Sequence, residues 1–363
     1  MKFLALSFKK EGLFFFEKKN QKTFITWAYV RQSLGETRMH ISILGGGGFL
    51  GRKVAARLAE SGTLAGRAVT GLTLFDIAPP ATLPAPFPVT CIGGDIAELP
   101  KAAIPLGTDV VFHLAAVVSA AAEADYDLGR RVNLRGTDAV IDACRGLARP
   151  PRVVFTSSVA SFAGGQQALL ADDARQLAAN SYGTQKAMAE MLLADATRRG
   201  FLDAVCLRLP TIIVRPGRPN KAASSFFSAI VREPLLGLTT DLPVPDDFAV
   251  WVASPSRATE WLLHAAAMDS APLGLDRSLT PPGLSVTVGQ ILAALEQVRP
   301  GASALVRRIA DPAIAAIVGT WPRGFVPTRA TALGFAPHEP LVELVRAFIA
   351  DDLEPTRRDR QAS

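Results

Sequence analysis

Only three of the 363 residues are cysteines, Cys91, Cys144 and Cys206, and they lie far apart. None has the short paired spacing of a metal knuckle or a disulfide framework, so they read as reduced, buried thiols of a cytoplasmic protein. Histidine is scarce too, at four residues. No H-x-x-x-H or comparable spacing supports a metal site. No uninterrupted apolar run approaches the ~18 residues of a membrane span, so a soluble protein with no membrane partner is expected. There is no internal repeat of solenoid length. The excess of basic charge is also local. Residues 1–38 carry eight Lys or Arg against three Glu, which accounts for +5 of the chain's +6. The remainder is nearly neutral, and a nucleic-acid partner is not called for.

With 49% hydrophobic and 20% charged residues, the chain has the makings of a sizeable core. Residues 1–38 lack the apolar length of a secretory signal and the Arg/Ser bias of a transit peptide. They are expected to be a poorly ordered extension, or a product of start-site choice, because Met39 stands directly before a strand-like run. From there strands alternate with helices, at Ile41–Leu44, Leu72–Phe75, Val89–Ile92, Val110–Leu114, Arg152–Thr156 and Ala204–Leu209. The helical segments between them include Phe49–Glu60, Val132–Arg145 and Tyr182–Arg198. This order predicts an α/β fold, a Rossmann-type doubly wound parallel sheet with a smaller C-terminal substrate-binding region. The expected divisions are 39–209 for the dinucleotide-binding domain, 210–352 mainly for substrate, and 353–363 as a flexible tail. Ser254-Pro255 reads as the N-cap and first position of a helix, and Thr287 with Gln290 as a capping box.

Gly45-Gly46-Gly47-Gly48-Phe49-Leu50-Gly51 follows the first strand and opens a helix, the context a phosphate cradle requires. Gly45/Gly48/Gly51 and Gly46/Gly48/Gly51 are both acceptable registers. Asp76 closes the second strand, where a carboxylate accepts hydrogen bonds from both ribose hydroxyls and repels a 2′-phosphate. This favours NAD over NADP. Asp95 and Ile96 follow the third strand and are candidates for the adenine edge. Leu114, Ala115 and Ala116 end the fourth strand and let the cofactor approach the backbone. His113 reads as a packed core residue.

Tyr182 and Lys186 stand four apart on one predicted helix, hence on one face. An ammonium beside a phenol favours the phenolate, which can take a proton from an alcohol. Ser158, ending a buried strand, would hold the substrate oxygen. Beyond Pro210, Thr211 and the cations Arg215, Arg218 and Lys221 are candidates for substrate binding, with Arg able to grip a carboxylate in a bidentate fork. Ser119 is a further candidate.

Gly45-x-x-Gly48-x-x-Gly51, Asp76, Asp95-Ile96, Leu114-Ala115-Ala116, Asn133-x-x-Gly136-Thr137, Ser158 and Tyr182-x-x-x-Lys186 together resemble the extended short-chain dehydrogenase/reductases. Thr328 to Phe335 is similar to that family's closing segment, and the resemblance covers about residues 39–352. It implies that Ser158 orients the substrate, Tyr182 accepts the proton, and Lys186 holds the nicotinamide ribose and tunes Tyr182. Asn133 takes either a place near the cofactor or one that positions a helix. Cys206 to Thr211, Arg215 to Ser224 and Pro243 to Asp247 most resemble a branch that oxidises the 2-hydroxyl of a four-carbon sugar acid with NAD. Pro210-Thr211 and Ala253 to Arg257 depart from the nucleotide-sugar epimerases, which favours a smaller pocket. An epimerase or dehydratase with bound NAD, and a non-catalytic NAD sensor, are the competing readings. A homodimer is left open. A chain beginning at Met39 is expected to keep its fold and turnover, because no cofactor or catalytic motif lies earlier. Circular dichroism and steady-state rates against the full chain test this, and an insoluble or inactive product gives residues 1–38 a role.

Overall fold

A computed structural model describes residues 38–164, 169–218 and 223–361. The expected extension therefore lies outside the described residues except for Arg38, which opens the first strand. That strand, β1 (Arg38–Leu44), leads through the glycine turn into helix α1 (Phe49–Ser61). Then follow β2 (Arg67–Asp76), β3 (Val89–Gly93), β4 (Thr108–His113), α2 (Gly136–Arg145), β5 (Arg152–Ser158), α3 (Ser181–Arg198) and β6 (Asp203–Leu209). Each expected strand and helix is present, with ends moved by a few residues. β2 begins five residues earlier than expected, and α2 four later, because a π-helical stretch over Arg130–Arg135 precedes the regular helix.

The strands pair in parallel in the order β3-β2-β1-β4-β5-β6. The order reverses between β1 and β4, and ligands of doubly wound sheets bind in the crevice at such a switch point. Ile41, Ile43, Val110, Phe112, Val154 and Val205 are almost wholly inaccessible, as expected of strands covered on both faces.

Beyond Pro210 the chain builds a smaller unit. β7 (Thr211–Ile212), β8 (Ala249–Ala253) and β10 (Leu284–Thr287) form a three-stranded sheet. Helices α4 (Ser225–Leu235), α6 (Val288–Val298) and α7 (Leu341–Asp351) contribute to a second core around Phe227, Ile230, Ile291 and Phe348. The division at residue 209 is not clean, however. Helix α5 (Pro255–Ala267) returns to the large sheet, and β9 (Ser278–Leu279) pairs in parallel with β6. Trp261 of α5 belongs to the same buried core as the β1, β2 and β4 side chains.

The two anticipated caps are present. Ser254 Oγ accepts from Arg257 N–H at 3.0 Å, and Thr287 and Gln290 form the reciprocal capping box at 3.2 and 2.8 Å. Residues 353–361 differ from expectation: the predicted flexible tail is helix α8 (Leu353–Gln361), with Leu353 and Thr356 buried. Cys144 and Cys206 are buried as expected, whereas Cys91 is only half-buried.

Gly51 is where the first turn of α1 meets the glycine loop. A Cβ there would lie 2.2 Å from the Gly45 carbonyl oxygen, closer than any packing tolerates. Gly51→Ala is expected to cost about 1–3 kcal/mol through overpacking and to weaken NAD binding by displacing the loop. Thermal unfolding and NAD titration measure both, and an unchanged NAD affinity would separate this contact from the cofactor site.

Candidate active site

In the glycine turn it is Gly45, not Gly46, that has the left-handed backbone, although both N–H groups donate to the Phe75 carbonyl. Gly45 has φ +91°, and its N–H donates to the Phe75 carbonyl at 2.8 Å, so it is the residue of the tight turn. Gly48 is the N-cap of α1. The first helical N–H groups, those of Phe49 and Leu50 included, have no intrahelical acceptor and carry the positive end of the helix dipole. Asp76 faces this loop: its Oδ2 accepts from Gly47 N–H at 2.9 Å and its Oδ1 from Ile77 N–H at 2.8 Å. Further lone pairs on the carboxylate remain for a ribose diol. A cavity lies between the loop and Asp76, lined also by Pro79, Pro80 and Arg52. Arg52 of α1 lines the same cavity as Asp76, a cation that separation along the chain concealed. This cradle fits the adenosine and pyrophosphate of NAD.

Several expected cofactor residues also make structural contacts. Asp95 caps a short 3₁₀ turn by accepting from Ala97 N–H at 2.8 Å, and takes Arg131 Nε at 2.7 Å. The Ala97 bond, with Arg131, holds its carboxyl below the usual range. Ile96 is buried against Gly136. Neither residue lines the two cavities described here. Asn133 makes contacts that suit a positioning role. Its Oδ1 accepts from Val117 N–H at 2.9 Å, and its Nδ2 donates to Val117 O at 3.0 Å and to Gln185 Oε1 at 2.7 Å. The loop after β4 is thereby tied to α3. Leu114 and Ala116 line the second cavity, and the Ala115 backbone N lies against the Gly45 turn.

That second cavity, of about 190 Å³, brings together Ser119, Ser158, Tyr182, Lys186, Thr211 and Arg215, with Phe49 and Leu50 at its cofactor side. α3 starts beside it because Asn180 caps the helix, accepting from Gly183 N–H at 2.8 Å. Gly183 then lets the helix touch the turn after Ser158; a Cβ there would lie 2.3 Å from the Ala160 carbonyl oxygen. Arg218 is exposed and outside the cavity lining, and Lys221 lies outside the described residues. Of the three cations expected after Pro210, Arg215 is the one in the cavity. Its Nε donates to Ile212 O at 2.9 Å. Trp321 and Ser224 also line the cavity, and sequence reasoning missed both: Trp321 sits in a stretch with no motif.

Lys186 is buried, with Nζ donating to the Thr156 carbonyl at 2.7 Å and standing 4.5 Å from the Phe155 ring centre. Burial lowers its pKa to about 7, against the raising influence of Glu190. His113 is buried nearby and held to about 3 by burial and by Lys186, so it stays neutral. Lys186 Nζ stands 5.6 Å from the Tyr182 ring centre, on the shared helix face. Desolvation raises the phenol, and the opposing influences are the Arg215 charge and a hydrogen bond with Ser158. The Lys186 ammonium donates to the Thr156 carbonyl, and Arg215 is a second cation acting on the phenol.

Residues 41–251 match the model described as the NAD dependent epimerase/dehydratase family, and the chain belongs to that family. It is an NAD-dependent oxidoreductase of the extended short-chain type. It is 43% identical to a D-erythronate dehydrogenase of Cupriavidus necator, over 86% of this chain and 98% of that one. A D-erythronate dehydrogenase of Haemophilus influenzae is 37% identical, over 87% of this chain and 100% of its own. A crystal structure from Agrobacterium tumefaciens, described as a nucleoside-diphosphate-sugar epimerase, superposes with a TM-score of 0.82 at 43% identity, covering 87% of this chain and 95% of that one. Among the described residues no helix is long and apolar enough to cross a membrane, and no cluster of three His, Cys, Asp or Glu suits a metal.

The electrostatics give a pH prediction. A dehydrogenase using Tyr182 as base gains rate as pH rises through the phenol pKa, and Arg215 is what opposes burial there. Arg215→Ala should therefore move the acid limb of kcat/KM to higher pH. A pH–rate profile checks it, and an unmoved limb, or one moved to lower pH, excludes the coupling.

Proposed function

We propose that the protein oxidises the C2 hydroxyl of a four-carbon sugar acid, D-erythronate to 2-dehydro-D-erythronate, with NAD. The observation that carries this reading is Arg215: a guanidinium in a small cavity beside Ser158 and Tyr182, with no carboxylate within ion-pair distance among the described residues. Burial lowers its pKa, and the neighbouring Arg232 charge lowers it further. A substrate carboxylate would relieve that local excess of positive charge. The names of the two D-erythronate dehydrogenases support the same substrate.

NAD, when bound, supplies the acceptor for the hydride that leaves C2. Tyr182 takes the hydroxyl proton, and Ser158 steadies the oxygen from which it comes. Lys186 anchors the inner end of the site on the Thr156 carbonyl, within reach of a ribose. Arg215 holds the carboxylate and favours the phenolate. The chain's work is to bind, orient and move one proton.

A nucleotide-sugar epimerase is the second reading, favoured by the description of the Agrobacterium structure. Four-carbon acids and nucleotide sugars with NAD, followed by nicotinamide absorbance, separate the two. Net reduction of NAD with D-erythronate is expected, whereas interconversion of a nucleotide sugar without net reduction overturns the proposal. Tyr182→Phe should lower kcat by about 10²–10⁴-fold while leaving NAD affinity nearly unchanged. Near-normal turnover in that variant would remove Tyr182 from the mechanism.

A further inference from the structure

The turn that carries Arg215 is held from outside by the last helix of the chain. Both backbone groups of Gly217 are engaged by α8: its N–H donates to Thr356 Oγ1 at 3.2 Å, and its carbonyl accepts from Arg360 Nη2 at 3.0 Å. The Arg360 guanidinium also grips Glu233 of α4, with Nη1 to Oε2 at 2.5 Å and Nη2 to Oε1 at 2.8 Å. Glu233 in turn accepts from Arg232 Nε at 2.9 Å, and Arg232 Nη1 donates to the Arg215 carbonyl at 2.8 Å. Two routes thus run from α8 to the Arg215–Gly217 turn, one through backbone and one through side chains. They are enclosed: Thr356 is 0% exposed, Arg232 1% and Glu233 5%. Arg215 N–H meets Ser228 Oγ of the same α4 at 3.1 Å, so the turn and α4 are fixed as one piece.

We propose that α8, through Arg360 and Thr356, is a positioning element for the substrate-carboxylate clamp, setting where the Arg215 guanidinium stands over the cavity. This rests on the reading of Arg215 as that clamp. A terminal helix tied down only for stability would be felt across the whole molecule; one that positions Arg215 is felt where the acid binds. The glycine loop and Asp76 make none of these contacts. The approaches to the cofactor side are Arg215 itself, 6.0 Å from the Phe49 ring centre, and Lys53 of α1, which pairs with Asp352 just before α8. A displacement of about 1 Å at a positioning group can cost up to ~10²-fold in rate.

The test uses the full chain at saturating NAD. Arg360→Ala should raise KM for D-erythronate by roughly tenfold, with a smaller change in kcat and unchanged NAD affinity by titration. Arg360→Lys should recover part of the loss by restoring the charge beside Glu233. Thr356→Val keeps the volume and removes the Gly217 acceptor, and should raise KM in the same direction; it serves if Arg360→Ala does not fold. Arg357→Ala, on the same helix and paired with Glu354 among the described residues, is the control and should leave KM alone. The proposal is overturned if Arg215→Ala raises KM and the α8 variants do not, or if KM and NAD affinity shift together. If Arg215→Ala itself leaves KM for the acid unchanged, the clamp reading fails and this proposal falls with it.

Discussion

The reacting corner depends on keeping a lysine ammonium inside protein. Lys186 is 2% exposed, and an uncompensated charge there would cost several kcal/mol. The structure meets that cost locally. Nζ has the Thr156 carbonyl, and Glu190, one turn further along α3, supplies a negative charge. Glu190 is buried as well, and takes Arg208 Nη2 at 2.8 Å, Gln176 Nε2 at 3.1 Å and the Ser157 hydroxyl. One network therefore spans the end of β5, the face of α3 and β6, the three elements that carry or flank Ser158 and Tyr182. The compensation is partial. Because the folded pKa of about 7 lies below the ordinary 10.5, the unfolded chain holds more protons between those values. Stability from this group therefore rises with pH across that window, and the full penalty applies below about 7.

The substrate end has the opposite balance. Arg215, Arg232 and Arg360 converge there, with Glu233 the carboxylate that joins Arg232 and Arg360. The cation left facing the cavity is a standing preference for an anion. It acts on Tyr182 too, so the group proposed to hold the acid also makes the phenol easier to ionise. Binding and proton transfer share one charge.

Much of the dinucleotide half was legible because its constraints are local. The glycine turn must follow a strand and open a helix, Asp76 must end the next strand, and Tyr182 and Lys186 need only one helix. The substrate half obeys no such spacing. Arg215, Arg218 and Lys221 are equivalent in a proline-rich loop, and what singles out Arg215 is the bond to Ile212 O and the burial against α4. Trp321 reaches the cavity from far along the chain with no motif around it. Asp95 and Asn133 were recognisable as motif positions, but their partners, Arg131 and Gln185, were not. The run Arg357-Arg358-Asp359-Arg360 looks like a solvated tail until Glu233 and Gly217 are found beneath it.

The return of α5 and β9 to the large sheet bears on how the chain reaches its native state. β6 is flanked on one side by β5 and on the other by a strand that is made only after β7, α4 and β8 have been laid down. A ribosome delivering the chain in order therefore cannot complete the cofactor-binding half when its last motif, Lys186, emerges. The surface that receives Trp261 waits for 75 further residues, and the outer edge of β6 for 93. Pairings across that distance raise contact order and slow folding. The interleaving also means that no single cut of the backbone separates the two halves with both cores intact.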